Sequence, residues 1–510
     1  MTKNDIFNYE EYQSISASVA LPTGAFIDGK SCAASAGRTF NTDNPATGLS
    51  LAQIASCDAA DVDIAVDKGR DAFELGIWSK LHPSSRKKVL INLAKLMRRN
   101  IHELAVLESL ESGKPIYDIE TIDIPEAIHC LEWHAEAVDK IYDQVAPTGD
   151  KSLAMIVREP VGVVACVLPW NFPILMLAWK IGPALAAGNS VIVKPAEQTS
   201  MTTIRIAELA HEAGVPRGIF QVLPGMGEIV GKAIGLHPDI DMVAFTGSTD
   251  VGRLFLEYSA HSNLKRIVLE CGGKNPCIVL ADAENLSSVA QHIVQAAFWN
   301  MGENCSANSR LIVDAKIKDK LIENILNALR EWPMGDPLNP ENRLGAIISK
   351  QHFKSINIAI KKGVSEGAKL IHRQENKINQ KGYFMGPVIF DNVTPEMALA
   401  RDEIFGPVLA IISVTGAEQA LKVANETSYG LAASIFTANI GKAHRMAKAI
   451  RAGTVSINCY SEGDITTPFG GYKQSGFGGR DKSLHAHDQY TELKTIWIDV
   501  SEDKLVNTME

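Results

Sequence analysis

The sequence predicts an α/β protein whose first half contains a parallel sheet covered by helices on both faces. Short apolar segments alternate with segments of helical periodicity between residues 160 and 280. The strand-like segments are Val161–Leu168, Ser190–Val193, Ile219–Leu223, Met242–Phe245 and Arg266–Glu270. Strands this short and this apolar are typical of a parallel sheet buried on both sides. A doubly wound, Rossmann-like unit is therefore expected.

A second α/β lobe is expected from about Gly272 to Gly470. Its strand-like segments are Cys277–Ala281, Arg310–Val313, Leu409–Val414 and Thr454–Asn458. The segment 1–140 is expected to be largely helical, notably over Ser84–Ser112. Two strand-like runs, Leu153–Arg158 and Thr495–Val500, lie outside both lobes, and such strands often pair with another subunit. The two lobes imply a cleft between them.

Composition favours a cytoplasmic protein that acts on a small molecule. The chain has 510 residues, a net charge of −9 and no basic block, which argues against nucleic acid as a partner. The N-terminus does not resemble a signal peptide, and the most apolar run, Val161 to Trp170, is too short to span a membrane. The eight cysteines include no CxxC pair, so neither a metal site nor a disulfide framework is indicated.

Unusual residues follow the strands of the first lobe, at the edge where parallel sheets bind ligands. Asn171 lies in a Pro-Trp-Asn-Phe-Pro turn and offers an amide donor, although a helix cap explains it as well. Lys194 and Glu197 follow the second strand, where dinucleotide folds bind a ribose, although a surface ion pair is equally consistent. These turns are candidates for a cofactor site.

The next three strands are followed by glycines, a hydroxyl and a carboxylate. Gly225, Gly227 and Gly231 give GxGxxxG, one residue longer than the dinucleotide fingerprint, and turn glycines explain it equally well. Ser248 can cap a helix N-terminus that faces a pyrophosphate. Glu270 ends the fifth strand beside two glycines, where a solvated acid is the ordinary interpretation.

Cys305 lies where a predicted helix gives way to a polar loop containing Gly302, before the strand-like run Arg310–Val313. A thiol in such a loop is accessible to a substrate. An isolated cysteine is more often a small core residue, so other features must support a nucleophile.

These features together resemble the NAD(P)-dependent aldehyde dehydrogenase superfamily, from about Ala25 to Val500. Six segments match family motifs in family order: 169–173, 245–248, 269–274, the loop around Cys305, 403–407 and 468–476. The resemblance implies an NAD-binding domain (1–140 and 160–272), an α/β catalytic domain (273–475) and a small β oligomerisation domain (141–159 and 485–510). It also implies a homo-oligomer, with a tetramer favoured over a dimer.

The resemblance also implies the role of each site residue. Cys305 would attack the aldehyde, Asn171 would hold the oxyanion, Glu270 would activate water, and Lys180 would support the site. The cofactor would contact Trp170, Lys194, Glu197, Gly227, Gly231, Phe245, Gly247, Ser248, Glu403 and Phe405. Glu197 favours NAD, whereas Lys194 would still tolerate NADP. His352 lies near where many relatives have a glutamine on the nicotinamide ribose, so His352 or Gln351 would make that contact. No metal is implied.

The acyl tunnel would be lined by Phe172, Leu175, Met176, Trp179, Trp299 and Phe469. Glu462 and Asp464, with Asp123 and Glu126 nearby, would place acids at its mouth, which suits a cationic tail, although a solvated loop is the ordinary alternative. Segments 153–160 and 479–486 resemble the branch that oxidises γ-glutamyl-γ-aminobutyraldehyde and 4-guanidinobutyraldehyde in polyamine and arginine breakdown. Alternatives are a broad-specificity, betaine aldehyde or 3-hydroxypropionaldehyde dehydrogenase, a CoA-acylating relative and an inactive structural or binding homologue.

Overall fold

The structure, a computed structural model, describes residues 6–376, 378 and 381–501. The expected segments 1–140 and 485–510 therefore extend outside the described residues at 1–5 and 502–510. The strands are β1 (Ala25–Ile27), β2 (Lys30–Cys32), β3 (Thr39–Asn44), β4 (Leu49–Ala55), β5 (Gln144–Ala146), β6 (Ser152–Pro160), β7 (Val163–Val167), β8 (Ser190–Lys194), β9 (Phe220–Val222), β10 (Met242–Thr246), β11 (Arg266–Glu270), β12 (Pro276–Val279), β13 (Arg310–Asp314), β14 (Lys369–Arg373), β15 (Val388–Asp391), β16 (Val408–Val414), β17 (Ala432–Phe436), β18 (Thr454–Ile457), β19 (Gly476–Phe477) and β20 (Thr491–Asp499).

The α-helices are α1 (Tyr9–Ser18), α2 (Ala59–Leu75), α3 (Pro83–Arg99), α4 (Ile101–Ser112), α5 (Ile116–Asp118), α6 (Ile124–Ala137), α7 (Pro173–Ala187), α8 (Met201–Ala213), α9 (Lys232–Leu236), α10 (Thr249–Ala260), α11 (Leu286–Phe298), α12 (Lys318–Ala328), α13 (Lys350–Ser365), α14 (Ala398–Arg401), α15 (Gly416–Asn425), α16 (Ile440–Ala449) and α17 (Ser483–Gln489). Short 3₁₀ turns cover Trp299–Gly302, Leu329–Glu331 and Lys473–Ser475, and π-helical turns cover Ile119–Asp123 and Gly227–Gly231. None of the helices in the described ranges is both long and apolar enough to cross a membrane.

The first sheet has the order β19-β11-β10-β7-β8-β9-β1-β2, and its five central strands are parallel. The strand order reverses beside β7, because the chain continues to β8 and β9 on one side and to β10 and β11 on the other. Such a switch point opens a crevice at the carboxyl ends of the strands. The turns after β7 and β10, which carry Asn171 and Ser248, therefore meet at this crevice.

The second sheet has the order β14-β15-β16-β13-β12-β17-β18 and is parallel except for β14. Its central strands are buried. This agrees with the continuous apolar runs Leu409–Ile412 and Ile278–Leu280, which are typical of strands covered on both faces. Helix α11 leads from this sheet to the loop that precedes β13, and that loop carries Cys305. The α/β class expected from the sequence is confirmed by both sheets.

The two strand-like runs outside the lobes pair with each other. All nine residues of β6 pair antiparallel with β20, from Ser152 opposite Asp499 to Pro160 opposite Thr491. Strand β5 completes the three-stranded sheet, in which β20 is an edge strand in the order β20-β6-β5. The sequence did not predict this local pairing, because sequence spacing does not show that residues so far apart meet. Pairing of these strands with another subunit stays a prediction.

The N-terminal segment contains four strands as well as the expected helices. Strands β1 and β2 extend the first sheet, and β3 pairs with β4 in a separate hairpin. The run Thr39–Asn44 is mostly polar and gives no apolar alternation, which is why the sequence did not predict it. The long helix expected over Ser84–Ser112 is interrupted at Asn100, whose φ of −104° and ψ of 24° end α3 and begin α4.

Candidate active site

The turns of the first sheet and the loop before β13 enclose a cavity of about 380 Å³, called here the inner cavity. Its walls include Trp170, Asn171, Phe172, Leu175, Met176, Trp179, Gly247, Ser248, Glu270, Asn304, Cys305, His352, Glu403, Phe405, Glu462 and Phe469. The structure therefore brings Cys305, Glu270 and Asn171 to one space. They lie far apart in the sequence and on three different elements.

The backbone before Cys305 turns through three consecutive residues with positive φ. Asn300, Met301 and Gly302 have φ of 51°, 54° and 69°. Only glycine adopts this region freely, and each other residue costs about 1–2 kcal/mol there. A Cβ on Gly302 would lie 2.3 Å from the carbonyl oxygen of Gly406, so glycine is required at that position. The turn sets the direction in which the Cys305 loop leaves α11.

Hydrogen bonds from asparagines hold the Cys305 loop on both sides. Asn275 Nδ2 donates to the carbonyl of Cys305 at 2.7 Å and to that of Ala307 at 3.0 Å. Asn171 Nδ2 donates to the Glu303 carbonyl at 3.0 Å. Because a carboxamide nitrogen carries two hydrogens, Asn171 keeps one N–H for a ligand in the cavity. Sequence analysis missed Asn275, which only the folded loop brings under Cys305.

The thiol of Cys305 is half-buried and is surrounded by carboxylates. Burial raises its pKa well above the ordinary value, and the charges of Glu462, Glu403 and Glu270 raise it further. A raised pKa favours the protonated thiol, which is a weak nucleophile. Attack on a substrate therefore requires a group that accepts the thiol proton.

Glu270 is a buried carboxylate, and neither of its oxygens has a hydrogen-bond partner within the described residues. Burial raises its pKa well above the usual range, as does the charge of Asp481, whereas Lys180 and Arg480 oppose the rise. A Cβ on Gly470 would lie 2.6 Å from Glu270 Oε1, so glycine leaves room for the carboxylate. A buried carboxyl group without fixed partners can exchange protons with a ligand or water.

Lys180 lies outside the inner cavity and forms a fully buried ion pair, with Nζ 2.7 Å from Asp481 Oδ2. Although burial lowers it, the pKa of Lys180 is raised overall by the charges of Asp481 and Glu270. Sequence analysis named Lys180 and missed its partner Asp481. A lysine within the apolar helix α7 signals that a buried counter-ion must exist, but not which one.

Lys194 and Glu197 lie at the carboxyl end of β8, apart from the inner cavity. Lys194 Nζ donates to Glu197 Oε1 at 3.1 Å, and the same oxygen accepts the backbone N–H of Gly227. Burial lowers the pKa of Lys194, and the charge of Glu197 opposes this. The ion pair and the glycine turn thus form one polar corner. Gly231 ends the π-helical turn, and a Cβ there would lie 3.8 Å from the ring of Phe255.

Ser248 caps helix α10, where its Oγ accepts the N–H of Val251 at 3.3 Å, and its side chain is exposed. Gly247 must be glycine, because a Cβ there would lie 2.6 Å from the ring of Phe245. Phe245 itself is buried against Phe255 and lies outside the cavity wall. The free N-terminus of α10 therefore faces the crevice of the first sheet.

The opposite wall is formed by Trp170, His352, Glu403 and Phe405. The Trp170 ring lies 5.2 Å from that of Phe405 and 5.3 Å from that of His352, measured between centroids. The His352 ring nitrogen Nε2 lies 2.6 Å from the Phe405 carbonyl. Glu403 accepts the N–H of Gly273 at 2.8 Å, and burial raises its pKa to about 7. Gln351 is exposed and is absent from this wall, so of the two residues only His352 borders the cavity.

Two pairs of aromatic rings form the neck that leads outward from Cys305. Phe172 lies against Trp299 and Trp179 against Phe469, each with centroids 5.1 Å apart. Two lysines missed by sequence analysis lie on these pairs. Lys114 Nζ is 3.7 Å from the centroid of Phe172, and Lys482 Nζ is 4.9 Å from that of Trp179. The chain's own ammonium groups therefore already contact both pairs.

A second, outer cavity continues from the neck and shares Leu175, Trp179 and Glu462 with the inner one. Its other walls include Glu126, Trp299, Tyr460 and Lys482. Asp464 does not line either cavity, because its exposed carboxylate accepts the N–H and hydroxyl of Thr466 within its own loop. Asp123 is buried in an ion pair with Lys114 and also lies outside both cavities. The acidic mouth expected from the sequence thus consists of Glu126 and Glu462.

No group of three or more His, Cys, Asp or Glu side chains in the described residues could hold a metal ion.

Comparisons with known proteins agree with this geometry. Residues 32–496 match the aldehyde dehydrogenase family. The chain is 56% identical to an aminoacetaldehyde dehydrogenase from Pseudomonas aeruginosa, covering 98% of this chain and 100% of that protein. It is 46% identical to the NADP/NAD-dependent aldehyde dehydrogenase PuuC of Escherichia coli, covering 96% and 98%. The crystal structure of a γ-glutamyl-γ-aminobutyraldehyde dehydrogenase from Burkholderia cenocepacia superposes with a TM-score of 0.95 at 48% identity, covering 97% and 100%. The chain belongs to the aldehyde dehydrogenase family.

Proposed function

We propose that this protein oxidises aldehydes to carboxylic acids with NAD as the hydride acceptor, and that NADP can replace NAD. The observation that carries the proposal is the convergence of Cys305, Glu270 and Asn171 on one cavity. These side chains supply a nucleophile, a base and an oxyanion donor. Family membership supports the reaction class.

The thiol of Cys305 releases its proton to solvent water, and the thiolate then attacks the aldehyde carbon, whose carbonyl oxygen becomes an oxyanion. The free N–H of Asn171 stabilises this oxyanion. The backbone N–H of Cys305, which donates to no other residue in the described ranges, adds a second donor. Because Asn171 is already fixed to the Glu303 carbonyl, its amide needs little reorganisation. A bound nicotinamide would supply the acceptor for the hydride that leaves the aldehyde carbon, so that the Cys305 adduct would become a thioester.

Glu270 removes a proton from the water that attacks the thioester. Its raised pKa makes it a stronger base than an ordinary carboxylate once it is ionised. The buried ion pair of Lys180 and Asp481 acts on this carboxylate: the charge of Asp481 raises the pKa of Glu270, and the charge of Lys180 lowers it. Water is thus favoured over a thiol acceptor such as CoA, because the base stands in the same cavity as the thioester.

The residues present fit a dinucleotide. Glu197 offers Oε2 beside an N–H of Gly227, which suits ribose hydroxyls, and the exposed Ser248 lies at the N-terminus of a twelve-residue helix, which suits a pyrophosphate. Trp170, Glu403, Phe405 and His352 border the part of the cavity nearest Cys305 and would hold the nicotinamide and its ribose. Lys194, fixed beside Glu197, can accommodate the added phosphate of NADP.

The substrate is proposed to be an ω-amino, γ-glutamylamino or guanidino aldehyde of polyamine or arginine breakdown. The named relatives act on aldehydes of this kind, and Glu126 and Glu462 line the outer cavity. A trimethylammonium aldehyde is less suitable, because it has no N–H to donate to Glu126 or Glu462 and depends on aromatic faces, which Lys114 and Lys482 already contact in the neck.

We further propose a cytoplasmic homo-oligomer, a tetramer in preference to a dimer, with the domain division given above. The three-stranded sheet supports this proposal, because it presents the exposed apolar side chains of Leu493, Trp497 and Val145. Such a surface is stabilised by burial against another copy.

A panel of aldehydes tests the proposal. Steady-state kcat/KM values for 3-aminopropanal, 4-guanidinobutanal, the γ-glutamyl aldehyde, hexanal and betaine aldehyde would be measured with NAD and with NADP, together with the acid and acyl-CoA products. Higher values for the cationic primary aldehydes and release of the acid are expected. Acyl-CoA as the product, or no NADH from any aldehyde by enzyme that binds NAD, would refute the assignment.

A further inference from the structure

The carboxylate of Glu462 lies at the junction of the inner and outer cavities and also against the nucleophile loop. It lines both cavities, whereas Glu126 lines only the outer one. Its position on the loop after Tyr460 brings it beside Asn304 and Ser306, the two neighbours of Cys305 in the chain. A role confined to the mouth of the tunnel does not account for this placement.

One oxygen of Glu462 collects hydrogen bonds from three side chains. Asn304 Nδ2 and the Tyr460 hydroxyl each donate to Oε1 at 3.2 Å, and the Ser306 hydroxyl donates to the same oxygen. Asn304 and Ser306 are buried, so these contacts are shielded from water and are stronger than surface contacts. Glu462 thus fixes both residues that flank Cys305.

The second oxygen, Oε2, is free to meet a ligand. Within the described ranges no hydrogen bond reaches it, and no lysine, arginine or histidine forms an ion pair with the Glu462 carboxylate. The nearest ammonium group, that of Lys482, donates instead to the backbone carbonyl of Glu462 at 2.9 Å. A cation that enters the outer cavity therefore meets a carboxylate oxygen that accepts no hydrogen bond within the described ranges, although the charge of Lys482 also acts on this carboxylate.

The charge of Glu462 also acts on the thiol. After burial, it is the largest influence that raises the pKa of Cys305, ahead of Glu403 and Glu270. Neutralising Glu462 would therefore increase the thiolate fraction at a given pH. Asp123, which is buried and senses the charge of Glu462, is already paired with Lys114.

We propose that Glu462 is a positioning residue for the Cys305 nucleophile and a sensor of the substrate tail, so that a cation bound at its free oxygen promotes attack by the thiol on the same substrate. This inference rests on the proposed oxidation of cationic aldehydes. It adds that the tail contributes to reactivity as well as to binding.

Alkylation of Cys305 by iodoacetamide tests the inference without an aldehyde or a cofactor. The rate of modification would be followed by peptide mass spectrometry as a function of pH. Glu462→Gln keeps an acceptor for the three donors and removes the charge, so alkylation at pH 7.5 is expected to be about three- to tenfold faster, since one pKa unit changes the thiolate fraction about tenfold. Glu126→Gln, an acid of the outer cavity alone, should leave the profile unchanged. An unshifted Glu462→Gln profile would overturn the electrostatic coupling.

The sensor role is tested with propylammonium and with 1-propanol as its neutral counterpart. Propylammonium should accelerate alkylation of the wild-type enzyme relative to 1-propanol and should make no difference in Glu462→Gln. Equal rates with both compounds in the wild type would refute sensing. Because no aldehyde is present, this outcome is separate from failure of the dehydrogenase assay.

The positioning role is tested with propanal, which has no charged tail. Glu462→Gln should keep most of the wild-type kcat, whereas Glu462→Ala, which removes the acceptor, should lower kcat about tenfold with little change in KM. The thermal unfolding midpoint of each variant shows whether it is folded. A folded Glu462→Ala enzyme with the wild-type kcat would overturn the positioning role.

Discussion

Replacing Glu270 by glutamine separates formation of the thioester from its hydrolysis. Glutamine has the same shape, and the carboxylate it replaces has no hydrogen-bond partner in the described chain, so the variant should fold normally. Loss of a general base typically lowers a rate by about 10²- to 10⁴-fold. The steady-state rate should fall by this factor, while the first turnover should still release about one NADH per active site.

The pH dependence gives an independent check on Glu270. Burial raises its pKa, and only the ionised form accepts a proton, so hydrolysis in the wild type should accelerate as pH rises through that raised pKa. Glu270→Gln should lose this rise. Glu403→Gln is the matched control, because Glu403 lines the same cavity and its pKa is raised to about 7, yet it should keep the rise and mainly weaken binding of NAD.

Stopped-flow measurement of NADH with hexanal would provide both quantities. Loss of the initial NADH burst in Glu270→Gln would refute the assignment, because the carboxylate would then be needed before the thioester exists. If the hydrolysis rate of Glu270→Gln still rose with pH, a group other than Glu270 would cause the rise. Glu403 would be the first such group to test.

Three further changes test separate parts of the structure. Cys305→Ala should abolish oxidation and retain NAD binding, which calorimetry can measure; an active variant would exclude the nucleophile. Lys180→Met leaves Asp481 buried without its counter-ion and should lower the free energy of unfolding by about 3–5 kcal/mol. The control is Lys494→Met, which removes an exposed ion pair with Glu159 and should lower the free energy of unfolding by less than about 1 kcal/mol. Urea denaturation measures both values. Equal losses would contradict the buried pair. Trp497→Ser should shift the assembly toward smaller species in light scattering, and an unchanged mass would argue against this surface as the interface.

The sequence predicted the sheets well because their signals are local. Buried parallel strands such as β8 and β10 are short apolar runs, and their periodicity does not depend on distant residues. The hairpin of β3 and β4 was missed because β3, one of its two strands, is mostly polar and gives no such signal. The pairing of β6 with β20 was missed because it joins residues more than 300 positions apart, with no complementary pattern to connect them.

The residues of the site also differ in whether the sequence could predict them. Cys305, Asn171 and Glu270 follow a helix or a strand of the sheets, so sequence placed them at the rim and the resemblance supplied their roles. Asp481 and Lys482 were not predicted, because their roles depend on residues that only the fold brings near them. Asp481 pairs with the buried Lys180, and Lys482 lies over the ring of Trp179. Asp464 was assigned to the tunnel because it is close to Glu462 in sequence, yet the turn between them directs its carboxylate to Thr466.

The left-handed turn through Asn300, Met301 and Gly302 lowers the stability of the fold but holds the Cys305 loop in the position that the reaction requires. Met301 is fully buried, and its sulfur accepts the N–H of Gly345, so the strained residue cannot be exchanged for glycine without losing core contacts. A change that relaxes the backbone at 300 or 301 would gain at most about 1–2 kcal/mol for each residue that leaves the left-handed region. Such variants would turn the following loop away from Asn171. Directed evolution toward thermostability should therefore leave these positions fixed and seek its gains elsewhere in the chain.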